Sequence, residues 1–173
     1  MNRIYIIHAV RIIVLSLIQV LVLRNVPMSS SAGQYIFIII YPVGLLLLPI
    51  ALPQFFALLI AFLAGTFVDI FYQSPGVHAG ACLWMMFMRP WVLKYFEPKS
   101  GYSSSQNPTG ESLGIFWFMR YVSVLMFGFF LSYFILEVFT FVYMGEILLK
   151  TILSFSVSLF FIFVLQILIN PKY

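Results

Sequence analysis

Asp69, His78 and an Arg89-Pro90 pair fall within one stretch of the sequence, GTFVDIFYQSPGVHAGACLWMMFMRP, which runs from Gly65 to Pro90. A carboxylate and an imidazole nine positions apart are the raw material of general acid-base chemistry or of a metal site. Here they stand alone. Zinc needs three or four ligands, and these two with the single cysteine, Cys82, are too few. No serine or cysteine stands with a base in a recognisable motif, and no Walker A lysine, HExxH or glycine-rich dinucleotide loop is present. The sequence therefore predicts no catalytic residues, no metal and no cofactor.

What these polar residues share is that apolar sequence surrounds them. An ionised side chain in lipid costs about 2.5 to 3.5 kcal/mol on insertion scales, so each must face protein, water or headgroups. Asp69, close to the end of an apolar run, is read as a carboxylate bonded to a neighbouring helix or to the start of the next one. The sharper alternative is a point where a partner or an ion binds. His78 would cap or line the same corner, near the Ser74-Pro75-Gly76 turn. Pro90 frees the carbonyl of Met86 from its usual donor, and a guanidinium such as Arg89 or one on a neighbouring helix is a candidate to meet it. Arg89 and Arg120 are further candidates for a lipid phosphate or a partner's carboxylate, with snorkelling as the plainer account.

The elements that position these groups follow from composition. Of the 173 residues, 63% are hydrophobic and 8% charged, whereas a soluble domain carries about 25% charged residues. An all-α integral membrane protein is expected, because the apolar blocks suit helices of about 20 residues and lack the alternation of barrel strands. The longest polar interval, residues 97–112, is too short for a core of its own. A net charge of +4 spread over membrane flanks excludes a nucleic-acid patch. A lone cysteine permits no intrachain disulfide, and Cys82 is read as a small buried residue.

A single domain, 1–173, of six transmembrane helices is predicted over approximately 4–23, 35–48, 55–71, 78–96, 113–137 and 147–169. Arg24-Asn25-Val26-Pro27 offers no small-residue cleavage site, so the first run is expected to remain as a helix. Pro27 and residues 29–33 supply the first loop, Pro42 a kink in the second span, Pro49 and Pro53 a tight turn, Pro90 a bend, and Pro171 the final stop. Arg3, Lys94, Lys99 and Lys172 flank one side, with Arg11, Arg89 and Arg120 about two turns in; only Arg24 and Lys150 fall on the other. The positive-inside rule then gives both termini in the cytoplasm. Asp69, His78, Glu137 and Glu146 gather at the outer face. Glu137 has Lys150 or Arg24 as candidate partners, and Glu146 stands four residues before Lys150.

Small residues mark the faces that touch. The third span carries Ala57, Ala61, Gly65 and then Asp69 at steps of four, and the others offer Gly76 and Gly80, Gly128 and Ser132, and Ser154 and Ser158. Internal packing is the plain reading of such stripes; docking of a partner's helix is the sharper one.

The run GTFVDIFYQSPGVHAGACLWMMFMRPWVLKYFEPKSGY, followed by PTGESLGIFWF, resembles the MreD family of bacterial rod shape-determining proteins. The likeness lies in the approach from Gly65 to Asp69, the Ser74-Pro75-Gly76 turn with His78, and the Arg89-Pro90 step. It implies a multi-pass protein of the bacterial cytoplasmic membrane, a non-enzymatic member of the elongasome that supports sidewall peptidoglycan synthesis and rod cell shape. The implied partner is MreC and, through it, MreB, RodA and a class B penicillin-binding protein. The family's bundle is also similar to the S components of energy-coupling vitamin transporters. Structural or partner-binding roles are thus expected for Ala57, Ala61, Gly65, Asp69, Pro75, Gly76, His78, Arg89 and Pro90. The rival is a vitamin-capturing subunit using Asp69, His78 and Glu137, although Ala9 followed four on by Ile13 lacks the small-residue docking face of those proteins. A handler of lipids or lipid-linked precursors is the third reading.

Overall fold

A computed structural model of the chain describes residues 2–25, 35–99, 101–102, 107–140 and 142–169, and among them every regular element is a helix. In chain order these are α1 (Asn2–Leu21), a 3-10 turn (Leu23–Asn25), α2 (Pro42–Leu46), α3 (Gln54–Tyr72), α4 (Val77–Tyr95), α5 (Gly110–Leu113), α6 (Ile115–Val138) and α7 (Met144–Ile169). The expected loop at Pro27 and residues 29–33, the serine run 103–105, and the stop at Pro171 with Lys172 lie outside the described residues. Four helices are long and apolar enough to cross a membrane: Ile6–Asn25, Gln54–Tyr72, Ile115–Val138 and Met144–Gln166. This all-helical architecture with four such helices is that of a helical membrane protein.

α4 matches the predicted fourth span within a residue at each end, yet His78, Arg89 and Lys94 lower its hydropathy. It tolerates them because it packs between α3 and α6 through the two largest helix contacts in the molecule. His78 and Arg89 are thereby taken out of lipid altogether. The centre of the bundle is aromatic: Tyr41, Phe118, Tyr121, Phe129, Phe130 and Phe134 are fully buried, with Phe129 and Phe130 meeting edge to face at 5.6 Å. Such pairs add to area burial because a ring's positive edge meets its neighbour's negative face.

The second predicted span departs from expectation. Residues 35–48 are not one kinked helix: 36–40 are extended, and Pro42 opens the short α2 as its first residue, where a missing N–H costs nothing. Extended backbone in an apolar interior needs outside partners for every polar group. Two helices provide them for six of the segment's groups. On one edge, Ser154 Oγ of α7 accepts from Phe37 N at 2.9 Å and donates to Tyr35 O at 3.3 Å, and Ser158 Oγ accepts from Ile39 N at 3.0 Å and donates to Phe37 O at 3.3 Å. On the other edge, the Gln19 amide of α1 donates to Ile38 O at 2.9 Å and accepts from Ile40 N at 3.0 Å. The fit is geometric: residues i and i+4 of a helix lie about 6 Å apart along its axis, and residues i and i+2 of a strand about 6.6 Å. Side chains of two helices thus stand where neighbouring strands would be.

Replacing Ser154 and Ser158 together by alanine strips the segment of donors and acceptors on one edge, at about 1 to 3 kcal/mol for each buried group left unpaired. The double variant is expected to lose at least 2 kcal/mol of unfolding free energy in mild detergent, while Ser156→Ala, on an exposed face, changes little. Equal stability of the two variants would show that water or α7 itself satisfies the strand.

Candidate functional site

The corner between α3 and α4 is built around Asp69. α3 ends where Gln73 takes a left-handed conformation (φ 55°) and its N–H bonds back to Asp69 O. The chain then turns through Gly76, also left-handed at φ 84°, into α4. A new helix leaves its first N–H groups without partners, and the Asp69 side chain, 5% exposed, meets them from the preceding helix. Its Oδ1 accepts from His78 N at 2.9 Å and from Ser74 Oγ at 3.0 Å; its Oδ2 accepts from Ala79 N at 3.0 Å and from Gly76 N at 3.1 Å. Negative charge at a helix N-terminus also complements the peptide dipoles. Asp69 is the cap of α4, and its four bonds occupy both oxygens.

The stripe leading to Asp69 is internal. Ala57 and Ala61 are fully buried, and a Cβ placed on Gly65 would lie 2.5 Å from Ala79 Cα and 2.8 Å from Ala79 N. The close approach that a glycine permits is therefore made by the chain's own α4, in keeping with the plain packing reading. Ala57, Ala61 and Gly65 are not open to a partner helix, and a leucine at Gly65 would push α4 away before any partner was tested.

His78 contributes to this corner with its backbone only. Its ring turns inward, fully buried, among Tyr72 and Tyr133 (both with ring centroids 4.9 Å away) and Tyr41 (5.8 Å). Nδ1 lies 3.2 Å from the Tyr41 hydroxyl, which also approaches Cys82 Sγ at 3.2 Å. Cys82 is buried, as expected. The group His78, Tyr41, Tyr72 and Tyr133 packs ring against ring. Of the anticipated outer partners, Arg24 sits over the Tyr72 ring at 6.0 Å, and it is Lys150 whose charge acts on Glu137.

Arg89 is 2% exposed and holds a second corner. Nη2 donates to Leu48 O and, at 3.4 Å, to Pro49 O; Nε donates to the Tyr121 hydroxyl at 2.9 Å, which in turn donates to Leu46 O at 3.0 Å. The guanidinium therefore closes the carbonyl end of α2, where the prolines at 49 and 53 leave the turn short of donors. It is not free for a lipid phosphate or a partner's carboxylate. Nor does it meet the carbonyl freed by Pro90: Met86 O accepts from Gln54 Nε2 at 2.8 Å. At the C-terminal end of α4, Trp117 Nε1 donates to Phe96 O at 2.7 Å and the Tyr102 hydroxyl to Leu93 O at 2.8 Å. Burial, helped by the Glu97 carboxylate, pushes the Tyr102 phenol up to about 12, so it stays a donor at any physiological pH.

What the corner leaves accessible is a shallow groove of about 430 Å³ between α3 and α4, lined by Phe62, Thr66, Ile70, Gln73, Pro75 and Ala79, with Asp69 and Gly76 at its end. Pro75 and Gly76 are exposed here, as are Phe62 (46%) and Ile70 (70%). No group of three or more metal-ligating side chains occurs among the described residues. No family model matches the chain, and comparison with curated proteins and with solved structures returned no match.

Proposed function

We propose that the protein is a non-enzymatic membrane scaffold of the elongasome, docking the transmembrane helix of MreC and thereby supporting sidewall peptidoglycan synthesis. The observation that carries this reading is the fate of the buried charges. Asp69 and Arg89 are spent on the chain's own backbone, and what remains for a partner is a stiffly held corner with exposed apolar groups beside it. A single-span partner meets such a protein along its flank, where close packing rather than hydrophobic transfer drives association. The resemblance in residues 65–102 and 108–118 supports the same assignment.

The proposal includes six crossings with both termini inside. The five extended residues 36–40 cover about 17 Å and the five residues of α2 about 8 Å, together about 25 Å of the ~30 Å hydrocarbon thickness. Residues 35–48 thus reach further across the bilayer than a 14-residue helix, about 21 Å long, would. The Asn107 side chain lies near His8, which supports placing the N-terminal part of α1 and the segment before α5 on one side of the membrane.

Phe62→Ala combined with Ile70→Ala changes the groove without touching the Asp69 cap. Losing two such anchors is expected to lower recovery of MreC with the purified protein by about tenfold, equivalent to roughly 1.4 kcal/mol. Undiminished recovery, with insertion of the variant verified, would remove the α3–α4 corner as the docking surface. Recovery of an ATPase with a bound vitamin, in place of MreC, would overturn the scaffold reading itself.

A further inference from the structure

A second groove, unrelated to the α3–α4 corner, opens between α1 and α3 and has a volume of about 510 Å³, within the ~300–1,000 Å³ of small-molecule sites. Its walls are apolar and include Ile12, Leu48, Leu52 and Phe67; exposed Ala9, Ile13 and Leu63 form its mouth. Two polar side chains line it and are unsatisfied among the described residues. His8 is 4% exposed and Ser16 3%, and His8 Nδ1 and Ser16 Oγ have no hydrogen-bond partner among the described residues. Buried polar atoms are seldom left so, and each costs about 1 to 3 kcal/mol unless something outside the chain meets it. The Asn107 side chain lies near His8, as do the cations Arg11 and Arg89. Arg11, half-buried, follows less than one turn further along α1. The groove thus combines hydrocarbon walls and open hydrogen-bonding positions, with the cation Arg11 beside His8 just outside its lining.

We propose that this groove seats one anionic phospholipid drawn from the leaflet at the N-terminal end of α1. One acyl chain lies along Ile12, Leu52 and Phe67, the phosphate stands by Arg11 and His8, and ester oxygens accept from the polar groups that the chain leaves open. The Arg11 cation selects an anionic headgroup over a zwitterionic one. This inference does not depend on the identity of the protein's docking partner.

The test offers the purified full-length protein an equimolar mixture of phosphatidylglycerol and phosphatidylcholine and counts bound lipid by native mass spectrometry. One tightly held phosphatidylglycerol is expected, favoured by about fivefold, the ratio that one arginine near an anionic surface confers. Arg11→Gln should bring that ratio close to one. Ala9→Trp, at the exposed mouth, should displace the lipid. Equal retention of both lipids by the unaltered chain, or undiminished phosphatidylglycerol in Ala9→Trp, would overturn the site. A diazirine-bearing phosphatidylglycerol provides a readout needing no variant: its crosslinks should concentrate in peptides of α1 and α3, and an even spread over α4, α6 and α7 would mean annular lipid only. A prenyl phosphate that displaces phosphatidylglycerol at equal concentration would overturn the choice of occupant.

Discussion

Asp69→Ala is expected to lower the unfolding free energy in mild detergent by about 3 to 5 kcal/mol, the range for removing one member of a buried charged contact. Four donors lose their acceptor together, and two of them, His78 N and Ala79 N, are buried. Asp69→Asn separates charge from geometry. An amide oxygen keeps two of the four bonds, whereas the amide NH₂ meets donors it cannot accept from. About half the effect should therefore remain. Ser74→Ala removes a single partly buried bond and should cost about 1 kcal/mol. Unfolding followed by tryptophan fluorescence would measure the series; an alanine variant as stable as the parent would mean that α4 finds its cap elsewhere.

Arg89→Ala should have an effect of similar size, about 3 to 5 kcal/mol, for the complementary reason. It removes the donors from Leu48 O, Pro49 O and the Tyr121 hydroxyl in a region water does not reach. Arg89→Lys is the informative control, because an ammonium keeps the charge but not the fork that spans two carbonyls and a hydroxyl. It is expected to recover less than half of the loss. Were Arg89 a contact for phosphate or for a partner's carboxylate, lysine would serve nearly as well, and stability would stay unchanged while binding fell. Thermal unfolding of the three proteins in detergent, beside their recovery of MreC, distinguishes the two outcomes.

Much of the architecture was legible from hydrophobic length alone. α3, α4, α6 and α7 begin and end within a few residues of the expected bounds, because a run of apolar residues closed by Pro, Gly or charge has few other solutions in lipid. The turn at Ser74-Pro75-Gly76 and its link to Asp69 were also visible, since a carboxylate just before a helix start has an obvious use. The second span was not legible. Residues 35–48 are as apolar as any helix, and periodicity cannot separate a buried strand from a buried helix in a short apolar run. The signal that would have found it lies elsewhere in the chain: Gln19 within α1, and Ser154 and Ser158 four apart on α7, are hydrogen-bonding groups where lipid offers no partner. Ser154 and Ser158 were noted only as small residues. The donor to Met86 O was missed in the same way, since Gln54 stands outside the expected third span and was given no role. Asp69 was read as a carboxylate bonded to the start of the next helix, and that is where it is found; Arg89 was offered to the Met86 carbonyl, to lipid phosphate or to a partner, because burial decides what a charge can reach and burial is a property of the fold.

The extended segment between α1 and α7 also fixes an order of events. Its partners are separated from it by 117 to 121 positions on the α7 side, so while the chain is being threaded into the bilayer these backbone groups have nothing to bind on that edge until the last helix emerges from the ribosome. The early half of the molecule must wait, shielded by water or by the insertion machinery, for the late half. A chain halted before residue 154 should accordingly remain vulnerable to quality-control proteases, however many of its hydrophobic runs have already entered the membrane.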